Sequence, residues 1–292
     1  VALALACAPA PERLPARGAP RIAVLAPAAA ETLAALGAED DVVAVGGFVS
    51  WPPALRGRPR LDAFDAANPE RLLALGVDLV VTTASVAGHA DRARLKDLGV
   101  ELLELDTSTY DGALAAIVTL GRRVGRGAAA ERLAAAVDAR VGAVEADAAE
   151  LPRRKVLLVV GREPLFVAGP GSHLDRLLAA AGGENVAADL GAPYAQAALE
   201  AMVARRPEVI VDSSENRVGT AARAGLVREW ARFPFLPAVA AGRVWAVDPS
   251  RLSIPGPRMG ETAELLARLV HPERFGAPAP AELGPLDRAE ER

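Results

Sequence analysis

Glu70-Arg-Leu-Leu-Ala-Leu-Gly-Val-Asp-Leu-Val-Val81 aligns without a gap to Glu200-Ala-Met-Val-Ala-Arg-Arg-Pro-Glu-Val-Ile-Val211. Each stretch is a glutamate, a short apolar helix, a turn with an acidic residue, and an apolar strand. A second echo supports the first: Gly37-Ala-Glu39 followed by Val42 corresponds to Gly182-Gly-Glu184 followed by Val186. Two copies of one plan in one chain predict two lobes of similar architecture.

Around the first copy, strands at 21–26, 42–45, 77–82 and 100–105 alternate with helices at 31–36, from Pro69, and at 90–98. Pro27 is expected to stop the first strand, and Asn68-Pro69 opens its helix with a cap and a proline in the first turn. Short turns between alternating strands and helices read as a parallel α/β sheet. Residues 111–150 are nearly all helix formers, interrupted only at Gly125-Arg-Gly127, and Leu133, Val137, Val141 and Val144 recur on one face. This predicts a stiff helical bridge ended by Pro152. The rhythm then restarts, with strands at 155–160, 207–212 and 243–247 and helices at 172–181, 221–233 and 258–270. The expected divisions are a leader (1–20), a first lobe (21–110), a linking helical segment (111–152), a second lobe (153–272) and a flexible tail (273–292).

A chain of 292 residues with 51% hydrophobic content has the material for two cores. Its 33 basic and 37 acidic residues form no basic stripe, which argues against nucleic-acid binding. Past residue 8 no apolar run approaches the roughly 18 residues of a membrane span. The single cysteine, Cys7, follows Val1-Ala-Leu-Ala-Leu-Ala6 and precedes a Pro- and Ala-rich stretch. It reads as a lipidation site at the end of a secretion signal, with 8–20 as a tether. That places the chain in the periplasm or on the outer face of a bacterial membrane, held to lipid only through such an anchor.

Enzymatic signatures are missing from the sequence. The three histidines, His89, His173 and His271, stand in unrelated settings, and there is no Gly-x-Ser-x-Gly elbow or Walker A pattern. Gly169-Pro-Gly171-Ser-His-Leu174 lacks the third glycine of a dinucleotide fingerprint and reads as a turn before a helix. His173 is expected to cap that helix or lie on the surface, and His271 to be solvated. The chain is therefore not expected to be an enzyme or to carry a cofactor of its own.

Several short runs, in order, carry a resemblance: Arg21-Ile-Ala-Val-Leu-Ala-Pro27, Glu31, Leu36-Gly37, Trp51-Pro52-Pro53, Asn68-Pro69-Glu70, Ala181-Gly-Gly-Glu-Asn185 and Arg206-Pro-Glu-Val-Ile210. Together they resemble the helical-backbone substrate-binding proteins of ABC importers for vitamin B12, haem and iron-siderophores, and among these the periplasmic vitamin B12-binding family. The resemblance spans about residues 20–272. It implies two Rossmann-like lobes joined by a long helix, a monomeric receptor, a small metal chelate held in the interlobe cleft, and delivery to a dimeric ABC permease. The chelate it implies is cobalamin or another corrinoid.

In that family aromatic side chains line the cleft, and the matching positions here are Phe48, Phe64, Phe166 and Tyr194. All four are expected in loops after strands, where large exposed rings form binding surfaces. Phe64 and Tyr194 each lie six residues before a repeat glutamate, so they are expected to face each other. Thr83 stands where the family has a further aromatic. Asp248 and Arg251 would supply polar contacts, Glu70 and Glu200 would dock on permease arginines, and His89 is a weaker candidate for coordinating cobalt or haem iron. Haem or a ferric siderophore on the same scaffold stays open as an alternative ligand, haem favouring an axial Tyr194 or His89. An enzyme or cofactor-assembly protein on paired Rossmann-like lobes is the other class, although such proteins usually hold their cargo through cysteines.

Overall fold

The computed structural model describes residues 18–61, 69–83, 89–214 and 220–284. Its N-terminal lobe runs β1 (Ile22–Val24), α1 (Pro27–Ala35), β2 (Val42–Gly46), β3 (Arg60–Leu61), α2 (Pro69–Ala74), β4 (Leu79–Thr83), α3 (His89–Asp97) and β5 (Glu101–Leu105). The strands form a parallel sheet in the order β3-β2-β1-β4-β5. Alternate residues of each strand serve opposite faces. Ile22 and Val24 pack with Leu33 under α1, whereas Ala23 and Val80 pack with Leu72 and Leu95 under α2 and α3. Pro27 opens α1 instead of merely ending the strand, because its missing N–H falls where no helical partner exists. Gly37 then takes φ 67° and closes the helix in a left-handed turn.

Two helices follow, α4 (Tyr110–Arg123) and α5 (Gly127–Ala148). Thr109 caps α4 by accepting from the Gly112 amide at 3.0 Å. The helices pack against each other, with Gly121 of α4 against Ala130 of α5. The apolar face predicted along α5 divides its work. Ala130 and Ala134 join Leu36 and Ile117 of the first half, with Leu133 packed against them, while Val137, Val141 and Val144 enter the core of the second lobe. The helix is thus clamped along its length, which is a stiffer arrangement than a free-standing bridge.

The C-terminal lobe contains β6 (Arg154–Arg162), β7 (Leu165–Ala168), α6 (His173–Ala180), β8 (Gly183–Asn185), β9 (Tyr194–Gln196), α7 (Leu199–Ala204) and β10 (Val209–Asp212). It continues with α8 (Thr220–Trp230), α9 (Pro237–Ala240), β11 (Val244–Ala246), α10 (Pro249–Leu252), α11 (Met259–Val270) and α12 (Pro272–Phe275). Among the described residues the sheet order is β11-β10-β6-β7-β9, with β8 also on β6. The repeat is visible in the pairing: β4 lies beside β1, and β10 beside β6.

Three expectations are corrected here. The second sheet is mixed, because β6 turns tightly at Glu163-Pro164 and β7 returns antiparallel, followed by β9. Phe166 and Tyr194 therefore stand on strands and not in loops. The segment expected to fray from residue 273 instead continues as α12 and a short 3-10 turn at Pro280–Leu283. Leu283 accepts from the Asp248 amide at 2.8 Å and Glu282 pairs with Arg268, so residues up to 284 are held on the lobe. His271 is fully buried, not solvated, with Nε2 3.3 Å from the Gly182 carbonyl and Nδ1 facing Glu273.

The lobes meet directly as well as through α4 and α5. Arg258 donates to both carboxylate oxygens of Glu31 on α1, at 2.9 and 2.5 Å, and to the Ser250 carbonyl at 2.9 Å. Glu31 is buried and Arg258 mostly so, and Gly256 lies against the backbone of Ala28. Burial pushes the Glu31 carboxyl above its ordinary range, against the opposing pull of Arg258. No described helix is long and apolar enough to cross a membrane.

Candidate ligand-binding cleft

In open α/β sheets, ligands bind where parallel strands end at their carboxyl edge. In the first lobe β2 ends at Gly46, and Phe48 follows in a turn with 85% of its surface exposed. In the second lobe β6 ends at Arg162, where Gly161 pairs with Phe166 at the start of β7. Phe166 in turn pairs with Gln196, and Ala168 with Tyr194. Residues 166, 168, 194 and 196 therefore share one face of this sheet edge. Phe166 and Tyr194 are diagonal neighbours on it, 38% and 39% exposed. Two half-open rings side by side make an apolar wall.

The polar candidates belong to the same end of the lobe. Asp248 follows β11 and caps α10, its Oδ1 accepting from the Ser250 amide at 3.0 Å and hydroxyl at 2.6 Å. Arg251 lies on α10 and donates from Nε to the Gly284 carbonyl at 2.9 Å. Burial, followed by the nearby Arg258 charge, lowers its hold on its proton. The strut from Arg258 to the Ser250 carbonyl and the Thr262 hydroxyl bond to the Arg251 carbonyl fix this short helix from behind.

His173 ties α10 to the aromatic wall. Its Nδ1 is 2.8 Å from the Tyr194 hydroxyl and its Nε2 is 3.2 Å from the Leu252 carbonyl. With 1% of its surface exposed it is neither a cap nor a surface residue. The capping role belongs to Ser172, which accepts from the Asp175 amide at 3.1 Å. Tyr194, Asp248 and Arg251 thus belong to one connected unit with Phe166 beside it, and Phe48 projects from the opposite lobe. Phe64 and Cys7 lie outside the described residues, as does the side chain of His89. Thr83 lines a narrow crevice at the lobe junction with Ala28 and Pro255. Among the described residues no three His, Cys, Asp or Glu side chains gather as a metal site.

A charged cluster at the same strand ends has no counterpart in the sequence reading. Asp212, fully buried at the end of β10, accepts from Trp230 Nε1 at 2.8 Å and Arg162 Nε at 3.1 Å. Arg162 also pairs with Glu229 and lies over the Trp230 ring. The only signal for it was an acid at the end of an apolar strand.

Residues 22–250 match the family described as periplasmic binding protein. The chain belongs to that family. Its members are extracytoplasmic substrate-binding components of transport systems that work with ABC permeases. The chain is 32% identical over 195 residues to the vitamin B12-binding protein of Salmonella typhi, covering 66% of this chain and 72% of that one. It is 31% identical over 260 residues to the cobalamin-binding protein of Halobacterium salinarum, covering 86% and 69%. Among solved structures, the periplasmic heme-binding protein of Roseiflexus sp. RS-1 superposes with a TM-score of 0.73 at 27% identity, covering 87% of this chain and 98% of that one. Two lobes on a helical backbone are common to this periplasmic binding protein and those it is similar to.

Glu70 and Glu200 are both exposed at the first turns of α2 and α7, the equivalent helices of the repeat. Beside Glu200 runs a shallow groove of about 340 Å³ lined by Leu199, Val203, Arg206, Phe233 and Phe235.

Proposed function

We propose that this periplasmic binding protein captures a corrinoid between its lobes and delivers it to an ABC permease. The observation that carries the reading is the wall on which Phe166 and Tyr194 present adjacent half-exposed rings beside Asp248 and Arg251. A corrin ring is a large flat apolar body with a polar rim, which suits aromatic faces bordered by a carboxylate and a guanidinium. Similarity to proteins named for vitamin B12 and cobalamin supports the same ligand. Phe48 and Phe64 supply the facing wall, Glu70 and Glu200 dock on the permease, and Cys7 carries a lipid anchor.

Haem is the second reading, favoured by the likeness to the Roseiflexus heme-binding protein. The visible spectrum of protein incubated with cobalamin, cobinamide or haem and then desalted separates them. Retention of cobalamin or cobinamide colour with a Kd between nanomolar and micromolar is the expected result. Retention of haem alone moves the assignment to the second reading.

A further inference from the structure

His173 is a buried titratable residue that the ligand contacts above leave without a task. Its two ring nitrogens have different partners, and the chemistry of those partners orders every proton between them. The Leu252 carbonyl 3.2 Å from Nε2 has no hydrogen to give, so Nε2 carries the proton and donates. Burial holds the ring neutral, with its pKa lowered to about 4. A neutral imidazole protonated at Nε2 has a bare Nδ1, which only accepts. The Tyr194 hydroxyl 2.8 Å away must therefore donate its one hydrogen to His173. The phenol keeps its lone pairs and has no hydrogen left for anything else. Burial also raises the phenol's pKa, so it stays protonated and this arrangement persists at neutral pH.

We infer that His173, through this fixed tautomer, makes Tyr194 an acceptor-only group in the cleft wall, so that the site selects chelates rimmed with amide N–H groups over those rimmed with carboxylates. The inference rests on the corrinoid reading and deepens it. An amide rim offers N–H donors to the Tyr194 oxygen, whereas a carboxylate rim places acceptor against acceptor. A polar group met by one of its own kind loses its water without gaining a partner, which discriminates more strongly than a missing contact. Asp248 works in the same direction, since a carboxylate beside the rim accepts and repels carboxylates. Arg251 opposes them as a donor, with Nε already given to the Gly284 carbonyl. His173 is a positioning residue here, acting only through Tyr194.

The test compares two ligands with one ring and two rims, dicyanocobinamide with its amides and cobyrinic acid with free carboxylates. Calorimetry on wild type, Tyr194→Phe and His173→Phe reads the ratio of the two affinities, which cancels the general effect of ligand charge. Tyr194→Phe keeps the ring and should weaken dicyanocobinamide by about 2- to 10-fold, the range of a single hydrogen bond, while leaving cobyrinic acid unchanged or tighter. His173→Phe frees the hydroxyl to donate and should shift the ratio further toward cobyrinic acid. His173→Gln, whose amide oxygen can take the same hydrogen, should restore it. Because His173 is buried, folding of its variants is checked by thermal melting, and the Tyr194→Phe arm decides alone if they do not fold. An unchanged ratio in Tyr194→Phe, with both corrinoids still bound, overturns the inference and leaves the corrinoid reading intact. Failure of wild type to bind either corrinoid overturns both.

Discussion

Exposed aromatic rings in a folded chain are informative because they cost hydration and contribute nothing to the core. Phe48 is largely open and Phe166 half-open, so truncating them should cost folding far less than it costs binding. Phe48→Ala and Phe166→Ala are each expected to weaken ligand binding by about 5- to 30-fold, from about 1–2 kcal/mol of lost ring contact. Thermal melting and calorimetry on the same samples check the split, and a fall in melting temperature without a change in affinity would assign the rings to the core. His173 acts on stability instead. Its pKa falls from 6.5 in the unfolded chain to about 4 in the fold, so between those values the unfolded state binds the extra proton. Stability from this residue is complete above pH 6.5 and is lost as pH falls toward 4, by about 3 kcal/mol in all. Urea melts at pH 7 and pH 4.5 should show a steeper acid loss in wild type than in His173→Gln. Equal slopes would mean that the imidazole does not titrate between the two states.

At the scale of elements, the helical segment between the lobes depends on close approach. A Cβ placed on Gly121 would stand 2.1 Å from the Ala130 Cβ, far inside contact distance, so α4 and α5 cross where neither has a side chain to spare. Gly121→Ala gains intrinsic helix propensity of about 1 kcal/mol but must push the helices apart, at about 1–3 kcal/mol. A lower melting temperature is expected, and an increase would show that the crossing relaxes freely. The face of α5 was readable from residues four and three apart, because helical periodicity is local. Which lobe each part of that face would join was not, since the partners come from Leu36, Ile117, and the second-lobe core far along the chain. The β6–β7 hairpin escaped for a related reason. Its turn is two residues long, and an apolar run of four such as Leu165-Phe-Val-Ala168 looks alike in either direction of pairing.

For the molecule as a whole, α5 is packed into both halves and Arg258 bridges to Glu31 at their junction. Both devices limit closure to a small rocking, since bending a helix or parting a buried ion pair is costly. Scattering curves of free and loaded protein are expected to superimpose closely. Arg258→Met leaves the Glu31 carboxylate buried without its partner, and should broaden the free protein's distance distribution as well as lower its stability by about 3–5 kcal/mol. A marked drop in the wild-type radius on loading would contradict the strut. The two repeat glutamates also belong to this scale, because only the two-lobed whole sets them as a pair. Glu70→Arg and Glu200→Arg should each abolish stimulation of the cognate transporter's ATPase while ligand affinity stays within about 2-fold, as expected for exposed residues away from the cleft. Undiminished stimulation in the double variant would remove the docking role.

The sequence alone determined the duplication, the order of most strands and helices, and the family, because each rests on local periodicity or on motifs in linear order. Its resemblance also proposed Phe166, Tyr194, Asp248 and Arg251 as cleft residues. Tertiary structure decided how these side chains are held. That His173 is buried, that its ring holds Tyr194 while reaching Leu252 across 79 residues of chain, and that Glu31 meets Arg258 across 227 follow from contacts between distant segments. No spacing rule reaches so far. The proton order in the cleft wall depends on which carbonyl happens to face a nitrogen, and that is fixed only when the helices and strands of the second lobe have packed.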